Sequence, residues 1–426
     1  MTCRVATLVM TLAVAQGAHA QTLDLRGLGG RAAGLAGAGS GAIGDASAVV
    51  ANPAMLSRLE GLSVQIAARS VDQDAAEYSI EGTFDATSLD ERFTSAAAFV
   101  AWRPGGDEGR LGFGLGVFSP FHMETAWDLE FFRRFDTRIE RVELEEVAAG
   151  VAFRMGRWSV AAGPRYVSGD IERVVSMSLG SPPVTAFRGE ADVRALAEVA
   201  DWGWSIALDH QRENWGAALV ARSPIELRAE SQGAKVELVD LFVAVEELRE
   251  AALDVIEPQL ELLESFDYPL AFDLPLELRA AFWLRPSARL MLHLEVAHQQ
   301  WSEAQSLTPR FHFRSRLPIQ FPQERDHDDT FAARLGAELT LATSWRLYLG
   351  LADEESFVGE GTLDPGLPAG DAVVFGLGLG WTKRGFGIDA GLNLLDIDDQ
   401  VRPGTVRDET IETDRRELTV SLRFAL

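Results

Sequence analysis

The chain has a single cysteine, Cys3, and only two lysines, Lys235 and Lys383. One cysteine excludes a disulfide framework and a cysteine-based zinc site. Positive charge is scarce: 39 Lys and Arg stand against 64 Asp and Glu, leaving a net charge of −25 over 426 residues. That balance excludes broad nucleic-acid binding, which needs a basic surface. Arginine is therefore the cation at nearly every site where charge could recognise a ligand. No segment holds 18 consecutive apolar residues, so no transmembrane-helix candidate exists. The hydrophobic fraction of 47% is nonetheless too high for a disordered chain.

The first twenty residues read as a secretory signal. Arg4 supplies a positive start, Val5 to Ala15 a short apolar run, and Ala18-His19-Ala20 a small-residue cleavage pattern before Gln21. Cys3 lies inside this segment, so a mature chain beginning at Gln21 has no cysteine. The apolar run is well short of the ~20 residues that span a bilayer as a helix. An exported chain without a membrane helix is either soluble or a transmembrane β-barrel, the other backbone that satisfies its hydrogen bonds in lipid.

Period-two alternation favours the barrel. Leu111, Phe113, Leu115 and Val117 alternate with three glycines. Leu290, Leu292, Leu294 and Val296 alternate with Met291, His293 and Glu295. Phe375, Leu377, Leu379 and Trp381 again alternate with glycine. Runs of this kind predict strands near 61–71, 94–104, 110–119, 142–154, 157–174, 200–211, 214–230, 275–286, 289–302, 329–341, 344–356, 371–382, 384–397 and 415–425. They number fourteen, and the gaps between them alternate between short and long, as in outer-membrane barrels. Trp102, Trp158, Trp202, Trp204, Trp215, Trp345 and Trp381 fall in or near strand ends, where interfacial aromatic girdles belong. A secreted soluble sheet protein is the competing reading. It fits less well, because the second face carries Arg165, Arg279, Glu295, Arg334, Glu338 and Arg346 among many glycines, which suits a polar lumen. The expected fold class is all-β: a 14-stranded antiparallel transmembrane β-barrel over 61–426.

Two segments lie outside that pattern. Residues 21–60, rich in Gly and Ala, are expected to form an N-terminal hatch, a plug in the lumen. Residues 236–257, inside the longest loop at 231–274, read as an amphipathic helix. Val236, Leu241, Val245, Leu248, Ala252 and Val255 make the apolar stripe, and Pro258 is expected to end it. Its role is either a cover on the barrel mouth or a first ligand site.

Other motifs carry little chemistry. Gly39 to Gly44 matches GxGxxG, but no strand precedes it and no βαβ unit surrounds it. The histidines His122, His210, His293, His298, His312 and His327 show no close metal-ligand spacing, and His293 and His298, five apart on a strand, point to opposite faces. No metal or cofactor is expected. Glu354, Glu355, Asp396, Asp398 and Asp399 read as solvated loop charges or as cation sites shared with lipopolysaccharide. An enzyme is not expected, because no serine motif accompanies His293, the one lumen-facing strand histidine with an acid nearby.

The stretch Gly27-Leu-Gly-Gly-Arg-Ala-Ala-Gly-Leu-Ala-Gly-Ala-Gly39, then Asp45-Ala-Ser, then Asn52-Pro-Ala-Met-Leu56, resembles the hatch of the FadL/TodX family of outer-membrane transporters for hydrophobic compounds. Leu111-Gly-Phe-Gly-Leu-Gly-Val-Phe-Ser-Pro-Phe121 is similar to that family's third strand and the loop after it. Glu295-Val-Ala-His-Gln-Gln-Trp-Ser302 is similar to its ninth strand. The resemblance runs over the whole mature chain. It implies a monomeric barrel in the outer membrane of a Gram-negative cell, in contact with outer-membrane lipids and lipopolysaccharide. It also implies passive uptake of long-chain fatty acids or similar hydrophobic molecules, released sideways where the third strand kinks. Aromatic hydrocarbon uptake and a non-transporting adaptor role, as in the family's PorV branch, are the alternatives.

Candidate site residues follow from the same resemblance. Asn52, Pro53 and Ala54 form the hatch motif; Pro53 fixes its own φ and keeps Asn52 out of helical geometry, giving a rigid corner. Arg173, in Asp170-Ile-Glu-Arg173, matches an arginine that faces the ligand carboxylate. Its alternative is pairing with Glu172 or a loop acid. The family's second basic residue falls near Gln323 here, with Arg325 the nearest base. Gly116, Ser119, Pro120 and Phe121 mark the lateral gate, since glycine weakens a strand and proline ends ladder pairing.

Overall fold

A computed structural model describes residues 25–425 except 81–82, 90, 180–186, 232–233, 244–245, 265–267, 309–322, 326, 360–362, 369 and 405–407. The secretory leader expected at 1–20 lies outside the described residues. Fourteen antiparallel strands form the wall: β1 Leu62–Gln73, β2 Glu91–Trp102, β3 Leu111–Ala126, β4 Ile139–Met155, β5 Trp158–Leu179, β6 Phe187–Gln211, β7 Trp215–Arg222, β8 Glu277–Ser287, β9 Leu290–Gln299, β10 Thr330–Ala342, β11 Trp345–Glu354, β12 Ala372–Lys383, β13 Phe386–Ile397 and β14 Arg415–Ala425. Each pairs with its sequence neighbours, and β14 pairs back onto β1 from Ser63↔Ala425 to Gln73↔Arg415. The sheet is closed, so no edge strand meets lipid.

Side chains alternate as the periodicity predicts. Leu115, Leu335, Phe375 and Leu418 point outward and keep 47, 54, 52 and 49% of their surface exposed. An apolar band of that extent on a closed barrel is a lipid-facing surface. Trp158 at one end of β5 and Trp202 on β6 border it, both exposed. Inside, arginines and acids form a chain across the lumen. Glu146 accepts from Arg165 at 2.9 Å and from Arg222 at 2.6 Å; Arg334 donates to Glu354 at 3.0 Å, and Arg26 reaches the same Glu354 at 3.2 Å.

Several strands outrun their sequence limits. β3 continues to Ala126, β4 begins at Ile139, and β5 and β6 run on to Leu179 and from Phe187. These extensions lie beyond the apolar band, where the outward face no longer has to be apolar, so alternation of hydrophobicity fades before the hydrogen bonding does. The short connections lie on one side of the barrel. The long ones lie on the other and build two small four-stranded sheets over its mouth, one from Arg228–Ser231, Tyr268–Phe272, Ser306–Thr308 and Gln323–Glu324.

The helix at 236–257 is corrected by the structure. Lys235–Val243 is a strand that pairs with β6, with a bulge between Leu238 and Asp240. The helix is Arg249–Glu264, and Pro258 sits inside it. Val236, Val239, Leu241 and Val243 are half-buried on alternate sides of that bulge, which suits a strand as well as a helix. The helix survives its proline because Ala252, Ile256 and Leu263 are buried against the mouth. Tertiary packing there outweighs one missing backbone donor.

Candidate functional site

Residues Leu25–Leu59 lie within the barrel as short helical turns, and most are buried. The lumen-facing glycines of β3 make room for them. Side chains at Gly112, Gly114 and Gly116 would collide with Leu56, Val49 and Phe99. Gly350, Gly376 and Gly391 give the same clearance to the backbone of 30–36. The glycine alternation thus records where the inner segment touches the wall. Pro53 opens a helical turn over 53–58, and Asn52, fully buried, donates from Nδ2 to Ser40 O at 3.1 Å. Ala54 is fully buried beside it. Charged contacts tie the segment to the wall: Arg58 to Asp209 at 3.1 Å, Arg31 to Glu338, and Ser40 N to Glu295 at 3.3 Å.

The wall has a gap in its strand pairing, a window in the hydrogen bonding between β2 and β3. β2 pairs with β1 along its whole length, from Leu62↔Trp102 to Gln73↔Glu91, but it pairs with β3 only from Trp102↔Phe113 to Ala98↔Val117. Beyond Val117, β4 is the one strand among the described residues that pairs with β3. Between Phe118↔Glu146 and Phe121↔Leu144 it carries one extra residue, at Ser119 and Pro120. A bulge bends its strand, and proline removes a ladder donor. Leu89 N donates to Ala126 O at 2.9 Å and closes the far end. Across the opening, the Phe93 and His122 rings stack at 5.3 Å, and the Arg69 guanidinium lies 6.0 Å from the Phe93 centroid. Gly116 lies below the window in the paired part of β3, and Phe121 points inward.

Above the inner segment lies an aromatic core. Phe121 and Phe272 are 4.5 Å apart between centroids, Trp301 and Phe357 stack at 4.3 Å, and His327 stands edge-on to Phe357 at 5.0 Å. Arg173 and Arg325 meet at its rim, on one carboxylate. Glu140 is fully buried. It accepts from Arg173 Nε at 3.0 Å and from Arg325 Nη1 and Nη2 at 2.6 Å each. Arg325 also pairs with Asp364 at 2.6 Å, and Arg173 Nη2 donates to Ser306 Oγ at 2.9 Å. The Asp364 and Glu140 carboxylates outweigh the burial of Arg325 and hold its pKa above the usual arginine value. Burial first, then Arg325 and Arg173, push the His327 imidazole down to about 4, so it is neutral at pH 7. Arg173 therefore pairs with Glu140 rather than Glu172, which takes Arg194 at 2.7 Å. Glu140, Ser306, Asp364 and Phe357 carried no signal in the sequence reading.

A cavity of about 440 Å³ opens at the other end of the lumen, lined by Arg31, Asp45, Arg289, Glu338, Arg346 and Arg423 among others. Its charge makes it a poor seat for a hydrophobic molecule. His122, Glu124 and Glu143 beside the window bring three donor atoms within 4.8 Å of one another, but Arg141 already pairs with Glu124.

The model of the outer membrane protein transport protein family (OMPP1/FadL/TodX) matches residues 6–421. A FadL homologue of Pseudomonas aeruginosa superposes with a TM-score of 0.73 at 16% identity, over 93% of this chain and 98% of that one. The toluene transporter TbuX of Ralstonia pickettii gives 0.65 at 13%, over 95% and 99%. The toluene transporter TodX of P. putida gives 0.66 at 12%, over the same shares. A comparison with curated proteins finds no match. The chain belongs to the OMPP1/FadL/TodX family, outer-membrane barrels that transport hydrophobic compounds.

Proposed function

We propose that this barrel takes hydrophobic small molecules from the cell surface and releases them sideways into the outer membrane through the window between β2 and β3. The observation that carries this reading is the end of β2–β3 pairing at Val117, beside a buried aromatic core. Residues 21–60 act as the hatch, with Asn52, Pro53 and Ala54 its rigid corner. They bar the straight path to the periplasm and leave the wall as the exit. Burial in the aromatic core favours an apolar cargo by roughly 0.8 kcal/mol per methylene, and delivery into lipid needs no further energy source.

Long-chain fatty acids and aromatic hydrocarbons are the two cargo classes, with Arg173 and Arg325 as the cations that would face a carboxylate. Glu140 and Asp364 already match both charges. A fatty acid must displace Glu140 to gain the pair, whereas an uncharged aromatic need not. The test is uptake of labelled oleate and labelled toluene by cells lacking their own transporter, with the protein or an empty vector. Uptake of either above the vector level supports the reading. Uptake of neither, with the barrel folded by heat-shifted gel mobility, overturns it in favour of a non-transporting adaptor.

A further inference from the structure

Among the described residues, three buried hydrogen-bonding atoms in and beside the aromatic core have no partner: Arg173 Nη1, His327 Nδ1 and His327 Nε2. The Arg173 side chain is 0% exposed and His327 8%. Unmet buried groups of this kind are uncommon, and each one argues for something that belongs beside it. They are neighbours. Arg173 and Arg325 share Glu140, His327 is two residues from Arg325, and the His327 ring touches the Trp301–Phe357 stack, 6.1 Å from Trp301.

The charges around them are balanced. Two arginines face Glu140 and Asp364, so the site calls for no further charge. A neutral imidazole offers one N–H donor and one acceptor nitrogen. Arg173 Nη1 offers a donor only. A group that fits must accept from Arg173 and donate to the bare nitrogen of His327, and it must be uncharged. A hydroxyl does both. A carboxylate accepts but cannot donate, and it would bring a second anion beside Glu140. A plain hydrocarbon leaves all three atoms unmet. The flat rings of Phe121, Phe272, Trp301 and Phe357 suit an aromatic body.

Resting on the transport reading above, we infer that the cargo this site selects is a neutral aromatic alcohol of the phenol class, held by its hydroxyl between Arg173 and His327. The purified full-length barrel in detergent is titrated with p-cresol, toluene and p-toluate, with binding read by calorimetry and tryptophan fluorescence. p-Cresol is expected to bind about tenfold more tightly than toluene, the worth of one well-placed hydrogen bond. p-Toluate is expected to be the weakest. His327→Phe is expected to bring the ratio of p-cresol to toluene affinity down to about one. His327→Gln, which keeps a donor and an acceptor, retains the p-cresol preference. Equal affinity for p-cresol and toluene, or p-toluate binding tightest, overturns this inference and leaves the transport reading standing. No binding of any of the three by the folded barrel overturns both.

Discussion

Replacing Glu140 by glutamine removes the anion that two buried arginines share while keeping the side chain's size. Arg325 keeps Asp364, at 2.6 Å, so the loss falls on Arg173, whose remaining side-chain partner is Ser306 Oγ at 2.9 Å. Stranding a buried charge costs about 3–5 kcal/mol. The variant should therefore lose stability on that scale, read as a lower temperature for the heat-induced shift in gel mobility. The Arg173 charge left unmatched is one that a ligand carboxylate can meet. If it recovers about 3 kcal/mol of the cost, dodecanoate binding tightens by roughly a hundredfold. Dodecanol, which has the same tail and no charge, should change little. The assay is titration of parent and Glu140→Gln with dodecanoate and dodecanol in matched detergent. Dodecanoate affinity unchanged by the substitution, or parent binding of dodecanoate far tighter than dodecanol, would refute the account of Glu140 as the built-in counter-anion.

Two other predictions concern pH and packing. His327, pushed down to about 4 by burial and then by Arg325 and Arg173, with Glu140 opposing, titrates below its ordinary value near 6.5. Between these two values the unfolded loop binds a proton that the folded one refuses. Stability is therefore present above pH 6.5 and falls by roughly 3 kcal/mol on acidification to pH 4. Amide exchange across 323–330 should accelerate over that window, and His327→Phe should remove the acceleration; a flat response in the parent would contradict the assignment. Gly114→Val places a side chain against Leu56 and Val49. It should displace the inner segment and admit bulky antibiotics that the parent excludes, whereas Leu115→Val, facing lipid, should not.

Much of the barrel was legible because lipid enforces it. The outward face must be apolar at every second residue, and all fourteen strands carried that mark. The mark stops at the edge of the apolar band. Arg173 therefore stood at the end of a predicted strand, while the predicted partner strand began at 142, two residues short of Glu140. Counting from the tight turn at Gly156, where φ is 64°, would have supplied the pair: Met155↔Trp158 fixes the register, and Arg173 then falls opposite Glu140. The loop strand at 235–243 was misread because its valines and leucines fit both periods, and only pairing with β6 decides. Arg325, Asp364, Phe272 and Phe357 converge from separate loops. Their meeting depends on long-range closure of the mouth, for which no local pattern exists. The end of β2–β3 pairing lies close to Ser119-Pro120, but its extent depends on where β2 and β3 part, which neither strand's residues declare alone.

Lateral release through the window is the central claim, and a reversible staple across it tests it most directly. Cys3, in the segment expected to be a leader, is the one native cysteine, so Phe93→Cys with His122→Cys introduces the one pair of thiols expected in the mature chain. The two native rings lie 5.3 Å apart across the opening. Uptake of labelled toluene and labelled p-cresol by cells carrying the pair is measured after oxidation and again after reduction, with cross-linking checked by gel mobility. The account predicts that oxidation abolishes uptake and that reduction restores it, with each single-cysteine variant indifferent to both. Uptake that continues at the parent rate with the window fully cross-linked would contradict it.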